Sequence, residues 1–168
     1  MELMPSPCPS ASFEHRTTPS PPVSGPSAAP AYDGIDVRVL LHRDDGRIAL
    51  HRPAGGRALA PPGARLRPGE SLRAAAARGL SEQAAVRTDL DDLEFCHLLH
   101  YRDAQRERLL VVFRTQQWRP AGGTAGAVWA RPAQPPAACS PHTALLLHGF
   151  DEALLYRDHG WADAGRDA

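Results

Sequence analysis

An α/β fold, one mixed sheet with helices on both faces, is the class this sequence predicts, and three observations carry it. Residues 35–41 and 109–115 are aliphatic runs of strand length. Residues 72–86 are strong helix formers behind a Ser cap. Strand-like segments then alternate with two helical stretches, the order that layers helices over a sheet. A length of 168 residues allows one ordinary domain with a tail. Leu, Ile, Val and Phe make up 32 residues, close to the disordered range, but the large net charge that accompanies disorder is absent. The 19 Arg, with no Lys, are matched by 19 acidic residues, so no global field favours nucleic acid or an anionic membrane as partner.

Taken in order, residues 1–30 hold eight prolines among Ser, Ala, Thr and Gly and read as a disordered tail. That tail lacks the basic start and apolar run of a secretory signal. Residues 31–168 then form one domain. Its first strand, 35–41, turns at Asp44-Asp45-Gly46 and returns through 47–51 as a hairpin. A long Gly-, Pro- and Arg-rich loop fills 53–69. Ser71 caps the helix 72–86, whose recurring face of Leu72, Ala75, Ala76, Gly79, Leu80 and Gln83 is mostly small and apolar. A glycine inside a helix costs roughly 1 kcal/mol against Ala, so Gly79 signals either close packing or a lost side chain. An acidic turn at 89–92 leads to a strand over 93–101, a polar turn over 102–108, the strand 109–115 and a short strand at 127–131. A Pro-rich loop, 132–141, precedes a second amphipathic helix over 142–155.

Cys8, Cys96 and Cys139 are odd in number and widely spaced, without zinc spacing or a disulfide framework, and a reducing cytoplasm is the simplest compartment. Cys96 reads as packing, whereas Cys139 lies in a loop and could react. His97 and His100 sit on one strand and point to opposite faces. Arg52, Arg57, Arg65 and Arg67 make the loop before the helix basic. The Arg fork suits a phosphorylated small molecule, so Arg52, Arg65 and Arg67 are substrate-binding candidates; a solvated loop is the plainer alternative.

The segment PGARLRPGESLRAAAARGLSEQAAV, residues 62–86, resembles the Nudix box, G-x5-E-x7-R-E-U-x-E-E-x-G-U, where U is bulky aliphatic. Fitted without a gap, Glu70 takes the first Glu, Arg78 the Arg, Leu80 the aliphatic position, Glu82 a metal-binding Glu and Val86 the last aliphatic position. Asp92-Leu93-Glu94-Phe95, the strand 109–115, Trp129 and His159-Gly160-Trp161 resemble one bacterial branch of the family, so the likeness covers roughly 35–161. It implies a Nudix-like α/β/α sandwich whose helix holds Mg²⁺ or Mn²⁺ against a pyrophosphate. Gly63, Glu70, Arg78 and Leu80 then belong to the scaffold, with Glu70 and Arg78 as an architectural ion pair. Glu82 and Gln83 occupy the catalytic positions, with Glu82 the metal ligand or, alternatively, a helix carboxylate pairing with Arg78 four residues earlier.

Departures from the box are as informative. Ala64 and Ala85 replace its two glycines, Gly79 replaces the Glu after the Arg, and Gln83 replaces the second Glu of the pair. Mg²⁺ seeks anionic oxygen ligands, and one carboxylate of three remains on that face. No Asp or Glu occurs between Glu107 and Asp151 to replace them from a later loop; Glu94 and Glu107 are the nearest substitutes. The resemblance therefore implies weakened or lost Mg-dependent hydrolysis of nucleoside diphosphate-linked compounds, with binding of a phosphorylated ligand retained. An active pyrophosphohydrolase using substitute ligands and a non-catalytic protein-interaction module are the alternatives.

Overall fold

Alternation along the two central strands decides which side chain enters which layer. The computed structural model describes residues 31–103, 106–122 and 126–161, and the expected tail, 1–30, lies outside them. Strand β1 (Ala31–Leu41) pairs in parallel with β6 (Arg106–Thr115) and antiparallel with β3 (Gly63–Arg65). On the far side of β6 lie antiparallel β5 (Glu94–Arg102) and then parallel β9 (Tyr156–His159), giving the mixed order β3-β1-β6-β5-β9.

Val37, Val39 and Leu41 join Val111 and Phe113 on one face, which helix α1 (Leu72–Ala84) covers with Ala75, Ala76, Leu80 and Ala84. Leu40, Leu110, Val112 and Leu99 supply the other face, covered by Leu146 and Leu147 of helix α2 (Pro141–Asp151). Both faces of the sheet are buried under helices, as the α/β/α prediction requires. Among the described residues no helix is long and apolar enough to cross a membrane.

Several boundaries differ from the sequence reading. The expected hairpin closes only as a bridge between His42 and Ile48, and β2 (Ile48–Leu50) pairs with β8 (Val128–Ala130) instead. Ile48, Leu50 and Ala130 all enter the α2-side core, which draws β2 out of the main sheet. The long loop contains β3, because Gly63 lets its backbone press onto β1. After α1 the chain forms a ribbon of only two residue pairs, β4 (Val86–Arg87) with β7 (Arg119–Pro120), followed by a 3₁₀ turn at Leu90–Asp92.

Helix α2 stops at Asp151 rather than 155. Leu154 N–H turns back to the Gly149 carbonyl at 2.9 Å, and the carbonyl of Leu154 accepts a bond from His97 Nδ1 at 2.6 Å. The chain then enters β9 beside β5, and Trp161 packs 4.7 Å from the His100 ring with Arg102 5.2 Å over its indole.

Ala85 ends α1 in the left-handed region at φ 50, with its N–H bonded to Leu80 O. This is the second box glycine position, and an L side chain there is strained by roughly 1–2 kcal/mol. Ala85→Gly is therefore expected to stabilise the fold by about 1 kcal/mol, read as a higher denaturation midpoint. An unchanged midpoint would count against strain at this residue.

Candidate functional site

Two glycines set how closely α1 approaches the sheet. A Cβ on Gly79 would lie 2.6 Å from Gly63 Cα and 2.8 Å from Ala64 N. One on Gly63 would meet the Val37 carbonyl oxygen and lie 2.9 Å from Arg38 Cα. Helix, β3 and β1 therefore touch backbone to backbone, which decides between the two readings of Gly79: it is a close-packing glycine. Its neighbour Gln83 spends its amide oxygen on the same contact, accepting the Gly63 N–H at 3.3 Å.

The loop before the helix is held by Arg78. Its Nε donates to Glu70 Oε1 at 2.8 Å and its Nη2 to Glu70 Oε2 at 2.9 Å, a bidentate pair with the two side chains 19% and 16% exposed. The same Nη2 donates to the Arg65 carbonyl at 2.8 Å, and Glu70 Oε2 also accepts the Arg67 N–H at 3.1 Å. Hydrogen bonding from Arg78 is the main cause that holds the Glu70 carboxyl down at about 2, against a smaller opposing effect of desolvation. The Arg78 guanidinium is correspondingly pushed up by its bond to Glu70. Leu80, on the adjoining face, is fully buried in the α1-side core.

Glu82 stands at the edge of this cluster, half exposed, with Arg78 Nη1 at 3.4 Å and Arg67 Nη2 at 3.9 Å. Its charged neighbours are thus cations. The substitute carboxylates are committed elsewhere: Glu94 accepts from Arg114 Nε at 2.8 Å, and Glu107 lies 3.1 Å from His100 Nε2. Among the described residues no group of three or more His, Cys, Asp or Glu could hold a metal ion. A divalent ion at this face would meet one carboxylate shared between two guanidiniums, one amide oxygen bonded to a backbone N–H, and a glycine. That donor set does not fit a hard dication.

Of the predicted phosphate-binding arginines, Arg67 reaches Glu82 and Arg65 joins through its carbonyl, while its guanidinium lies against Gly34. Arg52 bonds instead to the Arg57 carbonyl within its own loop. The opposite face of the sheet carries a pair that sequence reasoning missed: Arg108 Nη1 to Asp36 Oδ2 at 3.1 Å, with Asp36 only 8% exposed. Asp36 alternating with the apolar Ile35 and Val37 of a strand that is otherwise mostly aliphatic was the available signal. Cys96 is packed as expected, its thiol pushed up to about 12 by burial.

Comparison with known proteins adds the fold's relatives. No family model matches the chain, and no curated protein matches it. Solved structures do. The E. coli ORF135 protein has a TM-score of 0.57 at 24% identity, over 70% of this chain and 88% of that one. A MutT Nudix hydrolase from Burkholderia pseudomallei gives 0.55 at 16% identity, over 68% and 95%. A UDP-X diphosphatase gives 0.50 at 17% identity, over 78% and 70%. This chain has the Nudix hydrolase fold. Within that Nudix fold, α1 and the loop clamped by Glu70 and Arg78 occupy the segment that resembles the box.

Proposed function

We propose that this chain is a Nudix hydrolase-like protein in which Mg²⁺- or Mn²⁺-dependent hydrolysis of nucleoside diphosphate-linked compounds is weakened or lost, while a phosphorylated ligand still binds. One observation carries the reading: Glu82, the one Glu kept at the metal-binding positions of the box helix, sits between Arg78 and Arg67, and among the described residues no group of three or more His, Cys, Asp or Glu could hold a metal ion. Hydrolysis by this class of chemistry needs a metal to neutralise developing charge and to lower the pKa of a bound water. Gly79 and Gln83, which stand where the box has Glu, add no charge, and both are used in packing α1 on β3. Gly63, Glu70, Arg78 and Leu80 serve as scaffold in this reading.

Ligand binding rests on the guanidiniums of the loop. Arg67 has an exposed fork beside the cluster, with Arg65 and Arg52 on the same loop. The structurally similar UDP-X diphosphatase is named for a nucleoside diphosphate-linked substrate, which makes that class the first to try. The same reading takes residues 31–168 as one domain and the cytoplasm as its compartment.

Phosphate release from a panel of nucleoside diphosphate conjugates, with Mg²⁺ or Mn²⁺, tests it. Wild type and Glu82→Gln are expected to give the same near-background rates, while calorimetry detects saturable binding of at least one conjugate. Robust metal-dependent turnover that disappears in Glu82→Gln would overturn the proposal and establish an active enzyme with substitute ligands.

A further inference from the structure

A cavity of about 580 Å³ opens between the end of α1 and the β4–β7 ribbon, with Ser81, Arg87, Thr88, Asp89 and Arg119 in its wall and Glu82 not among its lining residues. The ribbon consists of two pairs, Val86 opposite Pro120 and Arg87 opposite Arg119. Residues directly opposite in an antiparallel pair have Cβ atoms roughly 4.5–5.5 Å apart, and like charges there are destabilising. So short a ribbon has few other contacts to offset that repulsion.

Internal anions do not resolve it. Asp89 Oδ2 lies 3.6 Å from Arg119 Nη2, a long contact with the two side chains 77% and 84% exposed. Arg87 has no ion pair or hydrogen-bonded side-chain partner among the described residues. The chain as a whole is charge-balanced, so this pair is a local excess of positive charge. Thr88 Oγ1 donates to the Gln117 carbonyl at 2.7 Å and so fixes the rim, whereas the Ser81 hydroxyl makes no hydrogen bond among the described residues.

We propose that this cavity binds a phosphate group, free or as a phosphomonoester, bridged between the guanidiniums of Arg87 and Arg119. A tetrahedral phosphate dianion carries about twice the charge of a carboxylate and offers more acceptor oxygens, so it can serve two planar forks at once and offset both charges. Ser81 supplies a hydroxyl donor from the helix side. Asp89 is the internal competitor, leaving Arg119 when the ligand arrives. The site shares no residue with the Glu82 face, so its fate is independent of the proposed function.

Titration of inorganic phosphate, and separately of a nucleoside monophosphate, into the full chain at low salt tests the assignment. Binding is followed by calorimetry and by amide shifts. Saturable shifts are expected at residues 81–89 and 119–121. Arg87→Gln and Arg119→Gln should each weaken binding severalfold, up to about fivefold, the upper end of the scale of one exposed ion pair, and Asp89→Asn should tighten it. Without phosphate the two Gln variants should melt no lower than wild type, since each relieves the repulsion, so their weaker binding cannot come from unfolding. Equal affinity for both probes identifies the phosphate group as the whole ligand, and preference for the nucleotide identifies an esterified one. Shifts confined to residues 52–67, unaltered affinity in both Gln variants, or no saturation would overturn the proposal.

Discussion

Gly79→Glu is expected to lower stability by roughly 3 kcal/mol or more and to leave metal affinity unimproved. The box has Glu at this position, so restoring it looks like the direct route to a metal site. Here the first atom of any side chain would enter the backbone of β3, at 2.6 Å from Gly63 Cα and 2.8 Å from Ala64 N. Backbone cannot rotate aside as a side-chain tip can, so either α1 lifts or β3 leaves β1. Gly79→Ala should fall in the same direction, because the Cβ alone makes the clash. Gln83→Glu is the useful contrast: that side chain is exposed, and a carboxylate oxygen can accept the Gly63 N–H as the amide oxygen does. Denaturant midpoints for the three variants, with Mn²⁺ calorimetry on those that fold, provide the check. A stable Gly79→Glu that gains metal affinity would show that α1 can stand off from the sheet without penalty.

Arg78→Ala is expected to destabilise the protein clearly more than Glu82→Ala, which should stay within about 0.5 kcal/mol of wild type as a half-exposed surface change. Removing the guanidinium breaks four contacts, to both Glu70 oxygens, to the Arg65 carbonyl and to Glu82, and leaves a largely buried carboxylate without its main partner. The loss has a pH signature. Glu70 is held at about 2 in the folded protein against an ordinary value of 4.5. Its ionised form therefore contributes stability that is fully present above 4.5 and disappears as pH falls towards 2. In Arg78→Ala the depression is largely removed, so the midpoint should change less between those two pH values than it does in wild type. Melting both variants across that range measures it. A larger loss in Glu82→Ala would overturn the architectural role of the pair.

Much of this architecture is written in local patterns. The alternation of 35–41 and the aliphatic run of 109–115 mark β1 and β6, since each side chain falls on one of two buried faces. Ser71 marks the start of α1, its hydroxyl accepting the Ala74 N–H at 3.2 Å. Glu70 and Arg78 stand out through the box spacing, and the structure joins them. What stays hidden depends on contacts distant in sequence. Two-residue strands such as β4 and β7 have no periodicity to read. Strand β9, Tyr-Arg-Asp-His, lies at the sheet edge with mostly exposed side chains and carries no apolar alternation. Gly79 is ambiguous until Gly63 is seen beneath it, and the bond from Gly63 N–H to Gln83 exists only because the two backbones come so close.

The parallel pairing of β1 with β6 also bears on how the protein reaches this structure. Val37 sits opposite Val111, and both hydrophobic cores draw side chains from both strands. During synthesis β1 emerges long before β6, with only the three-residue β3 to pair with in the interval. Neither core can close until most of the chain exists, and closing so long a loop before native contacts form slows folding. A fragment ending before residue 106 would expose Val37, Val39 and Leu40 along an unpaired strand edge. The strand that feeds both cores of the finished sheet is thus an aggregation-prone edge beforehand.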